Sequence, residues 1–192
     1  MERKTAEKKN KILNSALIVL AEKGYHGTTM EDIANHLLMT KGSLYYYFKG
    51  KQDLVFQSQI RILKQSIENV KSVNQQELTS EEKLAGVIRK HIEYSLREKA
   101  GFLLMANPTE IFSETQLTEI YHLREAYAAC YDELIEAGVK AGDFKVENIP
   151  VARNVLLGAM NWVTQWYSEE GALSIEAFAQ LVTDYTMRIV KK

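Results

Sequence analysis

The stretch Thr28–Lys51, TTMEDIANHLLMTKGSLYYYFKGK, decides how the rest of the chain is read. Thr28 with Glu31 three residues later has the form of a capping box, which opens a helix over Met30 to Leu37 with Ile33, Ala34 and Leu37 on one face. Thr40 is the expected N-cap of a second short helix, whose inward face is Leu44 and Phe48, and Gly50 ends it. Two short helices joined so closely, the second basic and aromatic, fit a helix-turn-helix that lays its second helix in a DNA major groove. Thr28, Thr29, Thr40, Tyr46, Tyr47 and Lys51 supply donors for phosphate oxygens. Lys41, Gly42, Ser43 and Tyr45 occupy the start of the helix, the part that reaches base edges, where Gly42 permits close backbone approach. Successive helical residues are about 100° apart, so at least two of the three consecutive tyrosines must be exposed.

Outward from this segment, a preceding helix runs Thr5 to Lys23 on Ile12, Leu13, Ala16, Leu17 and Leu20, with Gly24 as its stop. The segment from Gly24 to Leu54 resembles the DNA-binding domain of the tetracycline-repressor (TetR) family. There a T-[VM]-x-x-I-A run is followed by S/T-K-G-[ST]-L-Y-x-[YH]-F-x-[SGN]-K-x-x-L. The resemblance implies an all-helical homodimer with a three-helix N-terminal reader and a C-terminal ligand-binding and dimerisation domain. Position by position it implies phosphate or base contacts by Thr29, Lys41, Ser43, Tyr45, Tyr46, Tyr47 and Lys51. One departure stands out: the family's Ala-Gly-Val turn is replaced by Leu37, Leu38 and Met39. A leucine held at positive φ costs about 1–2 kcal/mol, so either the turn is strained or its backbone differs.

The remaining chain predicts further helices and no strand, about nine in all. One spans Leu54 to about Val73; another starts at Ser80. A short or kinked segment, Phe102 to Phe112, is broken at Pro108. Ser113 with Gln116 caps a long helix to about Val139, Pro150 sits in the first turn of a helix through Tyr167, and Ser174 caps the last one to Val190. The expected division is a reader over 1–51 and an effector-binding and dimerisation bundle over 52–192.

Charge follows that division. The first 51 residues hold nine basic and five acidic side chains, a net of +4, against a total of −1 for all 192 residues, which leaves −5 for the remainder. A basic head on an acidic body suits a polyanionic partner. At 46% hydrophobic and 26% charged the chain has the composition of a folded globule rather than a disordered one. Its apolar runs fall far short of the roughly 20 residues that span a bilayer, and the charged N-terminus lacks the apolar core of a secretory signal, so a cytoplasmic protein is expected. Cys130 is the single cysteine and has no internal partner. The scattered His26, His36, His91 and His122 form no metal-ligand pattern, and no nucleophile-elbow, phosphate-loop or dinucleotide motif is present. No enzyme, metal or cofactor is expected.

The body is rich in aromatic residues. Tyr94, Phe102, Met105, Phe112, Tyr121, Tyr127, Trp162 and Trp166 either fill a helical bundle or line a pocket for a small apolar ligand. The tail from Gly158 to Val182 is similar to TetR-like regulators of lipid and aromatic-acid catabolism, some of which sense acyl-coenzyme A esters. The expected partners are therefore double-stranded operator DNA, a second copy of the chain and an effector of acyl-coenzyme A or fatty-acid type. The competing reading is a DNA-bound scaffold with a filled core. A cavity of several hundred Å³ in the body separates the two. Val155, Leu156, Met160, Val163, Phe178, Leu181, Val182 and Ile189 give the last two helices more apolar surface than one buried stripe needs, which points to a two-fold interface. The Pro108-broken segment, including Ala106, is the expected moving part.

Overall fold

The computed structural model describes residues 2–104 and 108–191, with side chains from Glu7 onward. Met105 and Ala106, expected at the pocket and its moving segment, lie outside the described residues. Among the described residues the fold is all-α: nine α-helices, two short 3-10 turns and no strand. No described helix is long and apolar enough to cross a membrane.

The helices are α1 (Glu2–Lys23), α2 (Met30–His36), α3 (Lys41–Tyr45), α4 (Lys51–Asn74), α5 (Ser80–Arg97), α6 (Lys99–Leu103), α7 (Glu114–Ala141), α8 (Ile149–Trp166) and α9 (Ile175–Thr186). By packing, residues 1–62 with 98–121 form one compact unit, and 63–97 with 122–192 the other.

In the first unit, Ile12, Leu13, Ala16, Leu17 and Leu20 of α1 are buried together with Ile33, Ala34, Leu44, Phe48 and Leu54. The segment 98–121 belongs here because α6 packs on α1. The contact is close: a Cβ placed on Gly101 would lie 2.3 Å from Ile62 Cδ1 and 3.3 Å from Leu17 Cδ1. Arg61 bridges to Glu98 at 2.9 Å, and Gln59 Nε2 donates to the Gly101 carbonyl at 3.1 Å. Pro108 starts a 3-10 turn through Glu110, as its missing N–H favours.

In the second unit α5 packs on α8 and α9. Leu84, Val87, Ile88 and Ile92 of α5 meet Tyr131, Leu134 and Ile135 of α7, Leu156, Met160 and Val163 of α8, and Phe178 and Ala179 of α9. The termini follow local chemistry. Ser113 and Gln116 exchange capping bonds at the start of α7, Asn148 caps α8 with Pro150 in its first turn, and the Ser174 side chain accepts from Ala177 N. Two helices are capped one residue away from the expected place, α2 one residue later and α5, expected to be capped by Ser80, one residue earlier. Thr29 with Asp32, not Thr28 with Glu31, opens α2. Thr79 with Glu82 precedes α5, Thr79 N donating to Glu82 Oε2 at 2.9 Å. The last helix is also shorter than expected: α9 ends at Thr186, and a 3-10 turn covers Met187–Ile189.

Candidate functional site

The reader is built from its caps outward. Thr29 N donates to Asp32 Oδ2 at 2.8 Å, and Asp32 N donates back to Thr29 Oγ1 at 3.1 Å. Lys23 Nζ donates to the same carboxylate at 2.7 Å, and this bond together with those from Thr29 holds Asp32 well below the usual carboxylate range. The Thr29 hydroxyl is thus already engaged with Asp32, although the residue is exposed. After α2 the chain reverses at Leu38, which has φ of 53° and is 96% exposed. Leu38 N donates to the Asn35 carbonyl and Met39 N to the Ala34 carbonyl. The turn therefore keeps the left-handed geometry that suits glycine, and the leucine bears the strain.

Thr40 caps α3 by accepting from Ser43 N at 3.1 Å. Lys41, Gly42, Ser43, Tyr45 and Tyr46 are all exposed on this short helix, while Leu44 and Phe48 are buried beneath it. A Cβ on Gly42 would meet nothing within 4 Å, so no contact inside the chain demands glycine there. Tyr46 is 80% exposed and stands edge-on to half-buried Tyr47, ring centroids 5.0 Å apart. Lys41 Nζ lies 3.8 Å from Glu31, a loose surface pair. Lys8 Nζ of α1 sits 5.7 Å from the Tyr47 ring centroid, adding a cation beside the tyrosines.

Two of the expected donors point inward. Thr28 is 1% exposed and its hydroxyl donates to the Gly24 carbonyl at 2.8 Å, so it braces the end of α1 instead of facing a phosphate. Lys51, expected on a phosphate, donates from Nζ to the carbonyls of Tyr25 at 2.5 Å and Thr28 at 2.6 Å. Its ammonium also lies 4.3 Å from the Tyr25 ring centroid, and burial pulls its pKa down. These contacts tie the first turn of α4 to the loop between α1 and α2.

The aromatic set of the body is not one lining. In the first unit Phe112 is buried and packs on Phe56 at 6.0 Å between ring centroids, Phe102 is half-buried and Tyr121 is exposed. In the second unit Tyr127 is buried, Tyr94 half-buried, and Trp162 and Trp166 are 66% and 56% exposed. The two tryptophans were expected in a pocket but continue an outward stripe with Val151 and Val155 along α8. Leu181, Tyr185 and Ile189 are exposed beyond it. Of the residues expected at a two-fold interface, Val155, Leu181 and Ile189 face outward, whereas Leu156, Met160, Val163 and Phe178 fill the core. A cleft of about 640 Å³ lies along α5, lined by Val73, Leu78, Gly86, Arg89, Lys90 and Gln180 among others. Sequence reading found no such cleft, because it joins the end of α4, α5 and α9 across long sequence separations.

Residues 12–57 match the family described as bacterial regulatory proteins, tetR family, and residues 77–190 match the tetracyclin repressor-like C-terminal domain. The chain belongs to the TetR family. The fatty acid metabolism regulator protein of Bacillus subtilis (strain 168) is 28% identical over 177 residues, 90% of each chain. A biofilm operon icaADBC HTH-type negative transcriptional regulator, IcaR of Staphylococcus aureus (strain Newman), is 46% identical over 50 residues, 26% of this chain and 27% of its own. The crystal structure of AibR in complex with isovaleryl coenzyme A and operator DNA superposes with a TM-score of 0.80 at 23% identity, covering 95% of this chain and 97% of that one.

This TetR-family protein is accordingly a DNA-binding transcriptional regulator and not an enzyme. Its family motif explains why Lys51 passed for a surface residue: the position reads as one more base at a basic helix start. The inward turn of its side chain depends on carbonyls more than twenty residues earlier. Lys8 carried a weak signal in the +4 charge of the head, but its place beside Tyr47 depends on how α1 packs.

Proposed function

We propose that the protein is a ligand-responsive repressor that binds operator DNA as a homodimer and is released by a small, largely apolar effector of acyl-coenzyme A or fatty-acid type. The reader lies within residues 1–51, the effector and dimer functions lie within 52–192, and the protein acts in the cytoplasm. The observation that carries the reading is the exposed row Lys41, Gly42, Ser43, Tyr45 and Tyr46 on a capped helix. Lys41, held only loosely by Glu31 at 3.8 Å, and the exposed tyrosine hydroxyls can turn to phosphates, and Ser43 and the bare Gly42 backbone suit close approach to base edges. Thr29 and Thr40 contribute by fixing the two helix starts, and Tyr47 by backing Tyr46.

The effector half of the reading is supported by similarity to a regulator named for fatty acid metabolism and to one crystallised with isovaleryl coenzyme A and operator DNA. Tyr94 and Tyr127 stay with the effector, whereas Trp162 and Trp166 go to the two-fold interface with Val151, Val155 and Leu181. An apolar stripe of this extent on one face of two adjacent helices is suited to isologous pairing. The test is to recover genomic fragments on the purified protein, footprint them, and add dodecanoyl-coenzyme A. The expected footprint has two half-sites about one DNA turn or more apart, roughly 34 Å, and is lost on adding the ester. A single half-site would remove the dimer, and a footprint indifferent to every acyl ester and fatty acid would remove the effector.

A further inference from the structure

Helix α2 opens with two acids side by side, Glu31 and Asp32. The fold uses one of them. Asp32 receives the Thr29 N–H at 2.8 Å and the Lys23 ammonium at 2.7 Å, so the cap of α2 is complete without Glu31. Asp32 also supplies the negative charge that the start of a helix favours. The Glu31 side chain is 69% exposed, and among the described residues its one polar contact is the Lys41 ammonium at 3.8 Å. A pair so long and so exposed adds little to stability. Neither capping nor packing therefore gives a reason for a second acid at this position.

The place is unfavourable for one. Lys41 is the first residue of α3, directly after the Thr40 cap, and a helix-turn-helix brings that end of its second helix to the base edges. A carboxylate 3.8 Å from Lys41 Nζ stands at the same end. There it offsets the charge of Lys41 and repels phosphates, in a head otherwise rich in bases. Most base edges repel it as well: guanine presents the acceptors N7 and O6, thymine presents O4, and adenine sets N7 beside its N6 amine. Cytosine alone presents an amine, N4, with no acceptor on the same edge.

We propose that Glu31 is a specificity-determining residue of the reader, whose carboxylate accepts a hydrogen bond from the N4 amine of one cytosine in each half-site. The proposal rests on the α3 reading above and deepens it by a residue that lies on α2. In the free protein Lys41 lies beside Glu31 and offsets its charge. On DNA, Lys41 turns to a phosphate, and the carboxylate is left needing a donor that only the right base supplies. A wrong base leaves it unpaired among acceptors and phosphates. Glu31 thus lowers the affinity for other sequences more than it raises that for the operator, which is specificity through repulsion.

The test uses the full-length protein and a duplex trimmed to the footprint recovered as above. Wild type, Glu31→Gln and Glu31→Ala each select from a pool of that duplex with its half-sites randomised. Each is then titrated onto the selected duplex and an unrelated one across a salt series. Wild type is expected to select one cytosine per half-site and to lose about tenfold in affinity when that base is changed, the usual cost of one mismatched pair. Replacing the cytosine by 2-pyrimidinone, which lacks only the 4-amino group, should cost about the same. Glu31→Ala should lose the preference and be indifferent to 2-pyrimidinone. Glu31→Gln should shift the preference toward adenine, whose N6 and N7 a glutamine amide can pair. Both variants should bind the unrelated duplex more tightly, with a salt slope steeper by about one unit. A merely structural role would move neither base preference nor slope. Wild type without a cytosine preference, or Glu31→Ala that selects the same bases as wild type or binds the unrelated duplex no more tightly, would overturn the proposal. So would a Glu31→Gln protein that unfolds as early as Asp32→Asn, because the acid would then serve the fold. Wild type that recovers no DNA overturns the reading beneath it.

Discussion

Lys51 shows at the level of one side chain how a position that reads as a contact serves as a brace. Its Nζ reaches two backbone carbonyls, of Tyr25 and Thr28, and stands over the Tyr25 ring. Removing it leaves those acceptors unpaired, at a cost of about 1–3 kcal/mol. Lys51→Met should therefore lower the unfolding free energy and weaken DNA binding, with the slope of log affinity against log salt unchanged. A lost phosphate contact would instead reduce that slope by about one unit, so a salt titration of the variant separates the two roles. Leu38 makes the opposite point. At φ of 53° and 96% exposed it pays the left-handed penalty with no buried contact in return. Leu38→Gly should stabilise the protein by about 0.5–1 kcal/mol, the strain relieved less the entropy that glycine adds to the unfolded chain; chemical denaturation reads this directly. The sequence flagged the missing glycine but left two backbones open, because whether the turn bends around leucine depends on how α2 and α3 pack.

At the scale of elements, nearly every helix was legible from apolar spacing, and the errors cluster at starts with doubled signals. Before α5 both Thr79 and Ser80 are cap-forming residues but only Thr79 has an acid, Glu82, at the box spacing, whereas Thr28 and Thr29 are followed three residues on by Glu31 and Asp32, so that start offers two registers for a capping box. Burial decides between them. Thr28 is needed inside, against the Gly24 carbonyl, which leaves Thr29 to cap. Thr79→Ala should accordingly cost about 1 kcal/mol in thermal or chemical unfolding, and Ser80→Ala only a few tenths. Equal effects would mean that Thr79 is not the residue that caps α5. The aromatic residues of α8 were legible as apolar but not as outward-facing. A helical pattern apolar on more than one side does not say which side the core takes, and Trp162 and Trp166 lie opposite the face that Leu156, Met160 and Val163 bury.

For the molecule as a whole, the outward stripe predicts assembly. Trp162→Glu places a charge within it and should shift sedimentation from dimer to monomer at micromolar concentration; a wild-type monomer would contradict the assignment. The buried His91 sets a pH dependence. Its folded pKa is depressed to about 4 from 6.5, so between these values the unfolded chain binds more protons than the folded one. Stability is then full above about pH 6.5 and falls as pH drops toward 4, by about 3 kcal/mol. His91→Gln should flatten that part of the profile. Asp32 acts in the same direction at lower pH, since its depressed pKa means that its contribution is lost as the carboxylate protonates.

The central claim is that the exposed face of α3 meets duplex DNA, and equilibrium binding of a recovered duplex across a salt series tests it most directly. The comparison is between wild type and a protein carrying Lys41→Ala, Ser43→Ala and Tyr46→Ala, all three exposed and outside the core. The predicted result is a loss of sequence-specific binding with an unchanged unfolding midpoint, and a salt slope smaller by about one unit for the lost Lys41 phosphate contact. Wild-type affinity and slope in the triple variant would contradict the account.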